Sequence, residues 1–299
     1  MEKYIVLENE ENIRIDNYVA SKTGISRSKI QSLIEQSKVL VNTKEVRSSY
    51  KTKMNDEVSI EYVEEENHLK PEKIELDIVY EDNDILVINK QNGLVVHPAP
   101  GNYEHTLANG LSYYSKNLSD INGEFRPGIV HRIDAYTTGL LVVAKNNKAH
   151  EILASELSLK NIKRTYLALV WGIIKEDTGT IDAPIGRDKN DRKKMAVVGE
   201  GKHAITHFKV LERYNKATLL EVTLETGRTH QIRVHMAYIG HPIVNDPVYS
   251  NRELIDETGQ CLHAKKLELV HPMTNEQKIF ECELPECFAN ILNKIKMEG

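Results

Sequence analysis

The string His131-Arg132-Ile133-Asp134, followed by Thr137-Thr138-Gly139 and an apolar stretch, sets a carboxylate beside an arginine at a predicted turn. Opposite charge nearby favours the anion, so such a carboxylate is expected to stay ionised at neutral pH. An ionised carboxylate is what a nucleophile or base working at a sugar carbon requires. A second candidate is Tyr166 in KRTYLALVWG. A third is Thr226-Gly227-Arg228-Thr229-His230-Gln231-Ile232-Arg233, with two arginines at the start of a predicted helix. Taken singly, each has an ordinary structural explanation, because Arg–Asp pairs are commonly architectural and a strand tyrosine is commonly core.

Other chemistries fall away. The His131–Asp134 string differs from a kinase catalytic loop by the intervening Ile133; no Asn follows at that loop's spacing, and there is no glycine-rich loop or D-F-G. His230 and His235 lie about 140° apart around a helix and so do not share a ligand face. No H-E-x-x-H, G-x-S-x-G or P-loop motif is present. Cys261, Cys282 and Cys287 are odd in number and lack C-x-x-C spacing, which argues against a disulfide framework and a cysteine-rich zinc site. No metal site is expected.

The elements that must hold these residues read as α+β. Asp84–Lys90 (DILVINK) and Gly139–Lys145 (GLLVVAK) are expected strands, as are Tyr166–Trp171, Ala204–Leu211 and Leu219–Leu224. Asn147 is expected to cap a helix reaching about Leu159, with Ile152, Leu153 and Leu157 on one side. Thr229 is expected to cap a helix ending near Gly240. Strands outnumber helices without regular alternation, which predicts a mixed, largely antiparallel sheet.

At 299 residues the chain is long enough for about two domains. With 40% hydrophobic residues it can bury a core. No apolar run approaches a membrane span, and the acidic N-terminus lacks a signal-peptide layout, so a soluble cytoplasmic protein is expected. The net charge of −5 hides an asymmetry: residues 14–53 hold nine Lys/Arg against three acids, and residues 54–66 hold six acids and no base. A basic cluster of this kind can contact phosphates or simply be a solvated face. In and around it, Ile13–Ser21 suits a helix, Ser26 a cap for a second helix carrying Ile30, Leu33 and Ile34, and Val39, Val41, Val58 and Ile60 small strands. The expected organisation is residues 1–66 as a small α/β domain, 67–75 as linker and 76–299 as the catalytic domain.

The string IRIDNYVASKTGISRSKIQSLIEQSKVLVN, continuing to KTKMNDEVSI, resembles the αL RNA-binding domain shared with ribosomal protein S-four. The resemblance implies that Arg27, Lys29, Arg47, Lys51 and Lys53 present positive charge to structured RNA. Ser37 and Asn55 stand where that family usually has glycine, a difference that bears on turn geometry. The strings HRIDAYTTGLLVVAK, KRTYLALVWG and ETGRTHQIRVHMAYIGHPIVNDPVY resemble the RluA/RluD family of RNA pseudouridine synthases, a likeness that runs from ILVINKQNGLVVHP through GKHAITHFKVL to LHAKKLELVHP. Gln91 replaces a common proline and Tyr136 a common acid or small residue.

That resemblance implies a pseudouridine synthase fold and assigns roles by position. Asp134 matches the catalytic aspartate, Arg233 the arginine paired with it, and Tyr166 the tyrosine that packs on the target uracil. Ile232 matches the apolar residue beside the base and Arg132 the arginine that fills the gap left by the flipped nucleotide. Arg228 and His131 are expected to bind substrate. The implied reaction isomerises uridine to pseudouridine with no cofactor and RNA as partner. Large-subunit ribosomal RNA is the expected substrate, with transfer RNA as the alternative, and nothing demands more than a monomer. A non-catalytic RNA-binding assembly factor would predict loss of Asp134, Tyr166 or Arg233, all of which are present. A hydrolytic glycosidase would need a second carboxylate, and none is evident near these motifs.

Overall fold

The computed structural model describes residues 2–62, 69–99, 102–191 and 194–297. The chain divides into two compact units, Met1–Asn67 and His68–Gly299.

The first unit contains β1 (Glu2–Ile5), α1 (Ile15–Thr23), α2 (Arg27–Glu35), β2 (Val39–Val41), β3 (Lys44–Glu45) and β4 (Glu57–Ile60). Its strands form an antiparallel sheet in the order β1-β4-β2-β3. Ile15, Tyr18 and Val19 of α1 meet Ile30, Leu33 and Ile34 of α2 over Val39, Val41, Val58 and Ile60. Ser26 caps α2, its side chain accepting from the Lys29 N–H. The helix closes in a Schellman turn: Ser37 N–H donates to Ile34 O at 3.0 Å and Lys38 N–H to Leu33 O at 2.9 Å. Ser37 sits at φ 58° and Asn55 at φ 65°, so both positions where glycine was expected have the left-handed backbone that glycine serves. Asp16 is fully buried and accepts from Arg14, Arg27 and Gln31, which hold its carboxyl well below the usual range.

Residues 63–68, which include the start of the expected linker, lie outside the described residues. Residues 69–75 pack on the second unit: Leu69 is buried in its core, and Lys70 O accepts from Asn109 Nδ2 at 2.9 Å.

The second unit runs β5 (Asp77–Glu81), β6 (Ile85–Lys90), α3 (Leu107–Tyr114), β7 (Thr138–Ala144), α4 (Asn147–Ser158), β8 (Lys163–Trp171), β9 (Thr178–Asp182), β10 (Ile185–Arg187), β11 (Met195–Val197), β12 (Ile205–Arg213), β13 (Ala217–Leu224), α5 (Gln231–Tyr238), β14 (Leu262–Val270), β15 (Gln277–Glu281) and α6 (Glu286–Met297). Among the described residues nine strands form one sheet in the order β5-β6-β7-β14-β8-β13-β12-β9, with β15 also on β14. Only β7 and β14 run parallel, so the sheet is mixed and largely antiparallel as the strand pattern predicts. β10 and β11 form a separate hairpin.

Successive strand residues point to opposite faces. Leu86, Ile88, Leu141 and Val143 enter one core with α3 and α6, while Ile85, Val87, Leu140, Val142 and Ala144 enter the other beneath α4. Both faces being covered explains the continuous apolar runs at β6 and β7. Gly139 is required where β7 meets β14: it sits at φ +105°, and a Cβ there would lie 2.3 Å from Ala264 O.

Two expected caps are shifted by one residue. Asn146, not Asn147, caps α4 by accepting from Ala149 N–H at 2.9 Å; Asn147 instead accepts from Ser119 Oγ at 2.7 Å. α5 starts at Gln231 with His230, not Thr229, at the cap position, in left-handed backbone at φ 56°. The Gln231 side chain holds that turn from inside, accepting from Arg228 N–H at 3.0 Å and Thr226 Oγ1 at 2.7 Å. The helix ends as expected, with Gly240 just beyond it at φ +83°.

Candidate active site

A cavity of about 440 Å³ opens between the loop before β7, strand β8, and the turn and first residues of α5. Asp134, Tyr166, Arg233, Arg132, Ile232, Arg228 and His131 all line it, so residues spread over a hundred positions meet at one place. The basic residues Arg27, Lys29, Arg47, Lys51 and Lys53 belong to the first unit and are exposed. Arg27 is partly committed there by its 3.0 Å ion pair with Asp16.

Asp134 is set by its loop. Thr137 N–H donates to Asp134 O at 3.1 Å, and the buried Lys90 ammonium donates to Ala135 O at 2.7 Å. Lys90 also donates to Leu94 O and Gln91 O, so three carbonyls meet its three protons. Burial lowers its pKa to about 7, against the opposing pull of Asp134. Further along, Gln260 Nε2 donates to Thr137 Oγ1 at 3.1 Å, and Thr138 Oγ1 bonds His263 Nδ1 at 2.8 Å. These bonds fix the segment between the carboxylate and β7 to the neighbouring strand β14.

Arg233 is shared between two carboxylates. Its Nη1 donates to Asp134 Oδ2 at 2.9 Å, while Nε and Nη2 donate to Asp246 at 2.7 and 2.9 Å. Burial works against its charge, but the bonds and charge of Asp246 and Asp134 outweigh that and raise its pKa. Asp246 is itself fully buried, and its Oδ1 also accepts from Val248 and Tyr249 N–H at 2.8 and 3.0 Å. Asp246 therefore anchors Arg233, which leaves one guanidinium edge for Asp134.

Tyr166 is buried on β8, and burial raises its pKa. Arg164, two residues earlier on the same face, also lines the cavity. His131 accepts from Val142 N–H through Nε2 at 3.1 Å; burial, then Arg164, lowers its pKa to about 3, so it is a neutral support for the loop. His230 Nε2 stands 3.8 Å from Asp134 Oδ1, and its Nδ1 bonds the Tyr249 hydroxyl at 2.8 Å. Tyr249 in turn accepts from Met195 N–H at 3.0 Å. Arg228 is exposed at the rim, its Nε donating to His203 O at 3.0 Å.

Sequence reasoning missed Asp246, Lys90, Arg164 and Tyr249 as parts of this site, and gave His230, which lies inside the third candidate string, no role of its own. Arg164 had a usable signal, the period-two spacing from Tyr166 along a strand. Lys90 ends an apolar strand, where a charge needs a reason. Asp246 precedes a proline in a turn, and only the fold shows that it faces Arg233.

One carboxylate and four arginines around a nucleoside-sized cavity, on a chain whose first unit carries a basic stretch at residues 14–53, define an enzyme for a polyanionic substrate. A family model for RNA pseudouridylate synthases matches residues 84–238, which hold all these cavity residues but Leu262, and an S4 domain model matches residues 13–58. The chain belongs to the RNA pseudouridylate synthase family and is an isomerase of the RluA/RluD type. It is 50% identical over 294 residues to an uncharacterized RNA pseudouridine synthase, YlyB, of Bacillus subtilis, covering 98% of this chain and 97% of that one. It is 48% identical over 238 residues to ribosomal large subunit pseudouridine synthase D of Pseudomonas aeruginosa, covering 75% and 73%. Among solved structures, human RNA pseudouridylate synthase domain containing 1 aligns with TM-score 0.59 at 25% identity over 74% of this chain and 94% of that chain. Among the described residues no helix is long and apolar enough to cross a membrane.

Proposed function

We propose that this enzyme converts uridines of large-subunit ribosomal RNA to pseudouridine, with Asp134 as the group that acts at the ribose. The observation that carries the role of Asp134 is its 2.9 Å bond from Arg233 inside a cavity walled by Tyr166. The rRNA assignment rests on the resemblance to synthase D of the ribosomal large subunit, 48% identical over three quarters of the chain. On this reading the protein works in the cytoplasm as a single chain.

The target uridine must leave its stack, at a cost of a few kcal/mol, before its N1–C1′ bond can reach Asp134. Asp134 then attacks C1′ or removes the C2′ proton, and the freed uracil turns while it stacks on Tyr166, with Ile232 beside it. Carbon-5 then bonds to C1′, displacing the Asp134 carboxylate on the first route, or with Asp134 returning the C2′ proton on the second; the C5 proton leaves to solvent and N1 takes a proton, so atoms balance. Arg233 orients the carboxylate, Arg132 fills the space left in the RNA, and Arg228 and His131 bind the substrate and shape its pocket. Arg27, Lys29, Arg47, Lys51 and Lys53 of the first unit supply affinity for structured RNA.

The test is tritium release from ribosomal RNA labelled at uracil C5, taken from cells lacking the protein, with unmodified transfer RNA run in parallel. Wild type is expected to release tritium from ribosomal RNA, and Asp134→Asn is expected to bind it and release none. Turnover by Asp134→Asn at the wild-type rate would remove Asp134 from the mechanism. Release from transfer RNA alone would change the substrate.

A further inference from the structure

His230 lines the catalytic cavity beside Asp134, outside the roles of Arg233 and Tyr166. Its backbone is left-handed at φ 56°, a conformation that a residue with a Cβ adopts only where its surroundings hold it. The surroundings here hold the ring as well. The imidazole meets the Tyr249 ring edge-on, with 5.7 Å between centroids, and the Arg233 guanidinium lies 5.0 Å over that same tyrosine ring. Tyr249 thus braces both groups that face the Asp134 carboxylate.

The Tyr249 hydroxyl also decides which imidazole nitrogen carries the proton. Its oxygen accepts from Met195 N–H at 3.0 Å, so its own proton goes to His230 Nδ1 at 2.8 Å. A neutral imidazole that accepts at Nδ1 bears its proton on Nε2. Burial opposes a second proton and lowers the His230 pKa, against the pull of Asp134. Nε2 therefore presents one N–H toward Asp134 Oδ1, 3.8 Å away and too far for a hydrogen bond. Oδ2 is engaged by Arg233 Nη1 at 2.9 Å, which leaves Oδ1 to reach the sugar. One substrate atom can sit between Nε2 and Oδ1, about 2.8 Å from each. That atom must accept from the N–H and its group must donate to the carboxylate. Uracil carbonyls, the ribose ring oxygen and phosphate oxygens only accept, and uracil N3–H only donates. A hydroxyl does both. Inside an RNA strand each nucleotide keeps one, at C2′, next to the carbon whose bond is broken.

We propose that His230 is a further catalytic residue, whose Nε2–H donates to the 2′-hydroxyl of the flipped uridine while that hydroxyl donates to Asp134 Oδ1. The assignment rests on the isomerase reading of the same cavity. The shared hydroxyl holds C1′ and C2′ against the one carboxylate oxygen that Arg233 leaves open, so it serves attack at C1′ and proton removal at C2′ alike. It also makes the cavity select a ribose over a deoxyribose at the target position.

The target is located first, by carbodiimide mapping of ribosomal and transfer RNA treated with full-length wild type. C5-tritiated uridine or C5-tritiated 2′-deoxyuridine is then placed at that one position by splinted ligation. The readout is the ratio of kcat/KM for tritium release from the ribose site to that from the deoxyribose site, which does not change with the fraction of enzyme folded. His230→Phe keeps a ring without a donor and should lower this ratio about 30-fold relative to wild type. His230→Gln keeps an N–H and should retain most of it. Where the deoxy RNA is bound without turnover, its inhibition constant against the ribose RNA supplies the ratio. Equal ratios in all three proteins, with wild type active on the ribose site, would overturn the role of His230 and leave the isomerase reading standing. If wild type modifies no uridine in either RNA, the isomerase reading fails and the assignment falls with it.

Discussion

At the scale of single residues the site depends on a shared arginine. A buried guanidinium facing one carboxylate would be free to turn toward it and engage it through both edges. Asp246 prevents this by taking Nε and Nη2, so Arg233 reaches Asp134 through Nη1 alone. Asp246→Asn keeps the shape but removes the charge, and leaves a buried cation half compensated. It is expected to lower stability by about 3 kcal/mol and kcat about 100-fold through misplacement of the carboxylate. Thermal melts and single-turnover tritium release check both, and a folded Asp246→Asn with wild-type kcat would show that Arg233 needs no anchor. The sequence made Asp134, Tyr166 and Arg233 legible because each sits in a distinctive local string. Asp246 was hidden because its partner lies thirteen positions away, on α5. Lys90 was hidden for a similar reason, since its carbonyl partner Ala135 is 45 positions distant.

At the scale of elements, strand assignments followed readily from composition because β6 and β7 are apolar on both faces, and the sheet covers both. Caps were less legible. Asn146 and Asn147 are chemically identical candidates, and only Asp84, Ser119 and Asp120 around them decide which one turns inward to the helix. At α5 the preferred capping residue Thr229 is bypassed because Gln231 already satisfies the turn, which leaves His230 in a conformation that costs a side chain about 1 kcal/mol or more. The α2 terminus has the same tension without an evident functional return. Ser37 occupies the left-handed position of a Schellman turn, where glycine carries no Cβ penalty. Ser37→Gly is therefore expected to stabilise the first unit by about 0.5–1 kcal/mol, read as slower amide exchange in α2. Faster exchange would mean that the gain in backbone freedom of the unfolded chain outweighs the relief. Asn55 tolerates the same region better, since its short polar side chain can bond locally.

At the scale of the whole molecule, the second unit buries histidines in their neutral form. His97 is held at about 4 by burial and by Arg126 and Arg132, and its Nδ1 has no hydrogen-bond partner among the described residues. His263 is also held at about 4, by burial first, while bonded to Thr138 and Cys282. Their folded pKa values are depressed below the ordinary 6.5, so between pH 6.5 and 4 the unfolded chain takes up protons that the folded chain refuses. The stability this confers is present above pH 6.5 and lost as pH falls toward 4. Each histidine is expected to remove about 2 kcal/mol between pH 7 and pH 5. Asp82 adds to the trend, since backbone N–H bonds from Ile85 and Asp84 lower its pKa despite burial, and its stabilisation too is lost as acid protonates it. Trp171 is the chain's only tryptophan and lies in the second unit, so its fluorescence follows this unit's unfolding without interference from the first. Urea titrations of wild type at pH 7 and pH 5 should show the loss, and His97→Asn should show about 2 kcal/mol less of it. Equal losses in the two proteins would mean that His97 is protonated in the folded state. Because His263 ties β14 to Thr138, directly after the Asp134 loop, protonating it strains the seam that positions the carboxylate. Activity should therefore fall in acid before the fluorescence of Trp171 reports unfolding, and His97→Asn should leave that early loss in place.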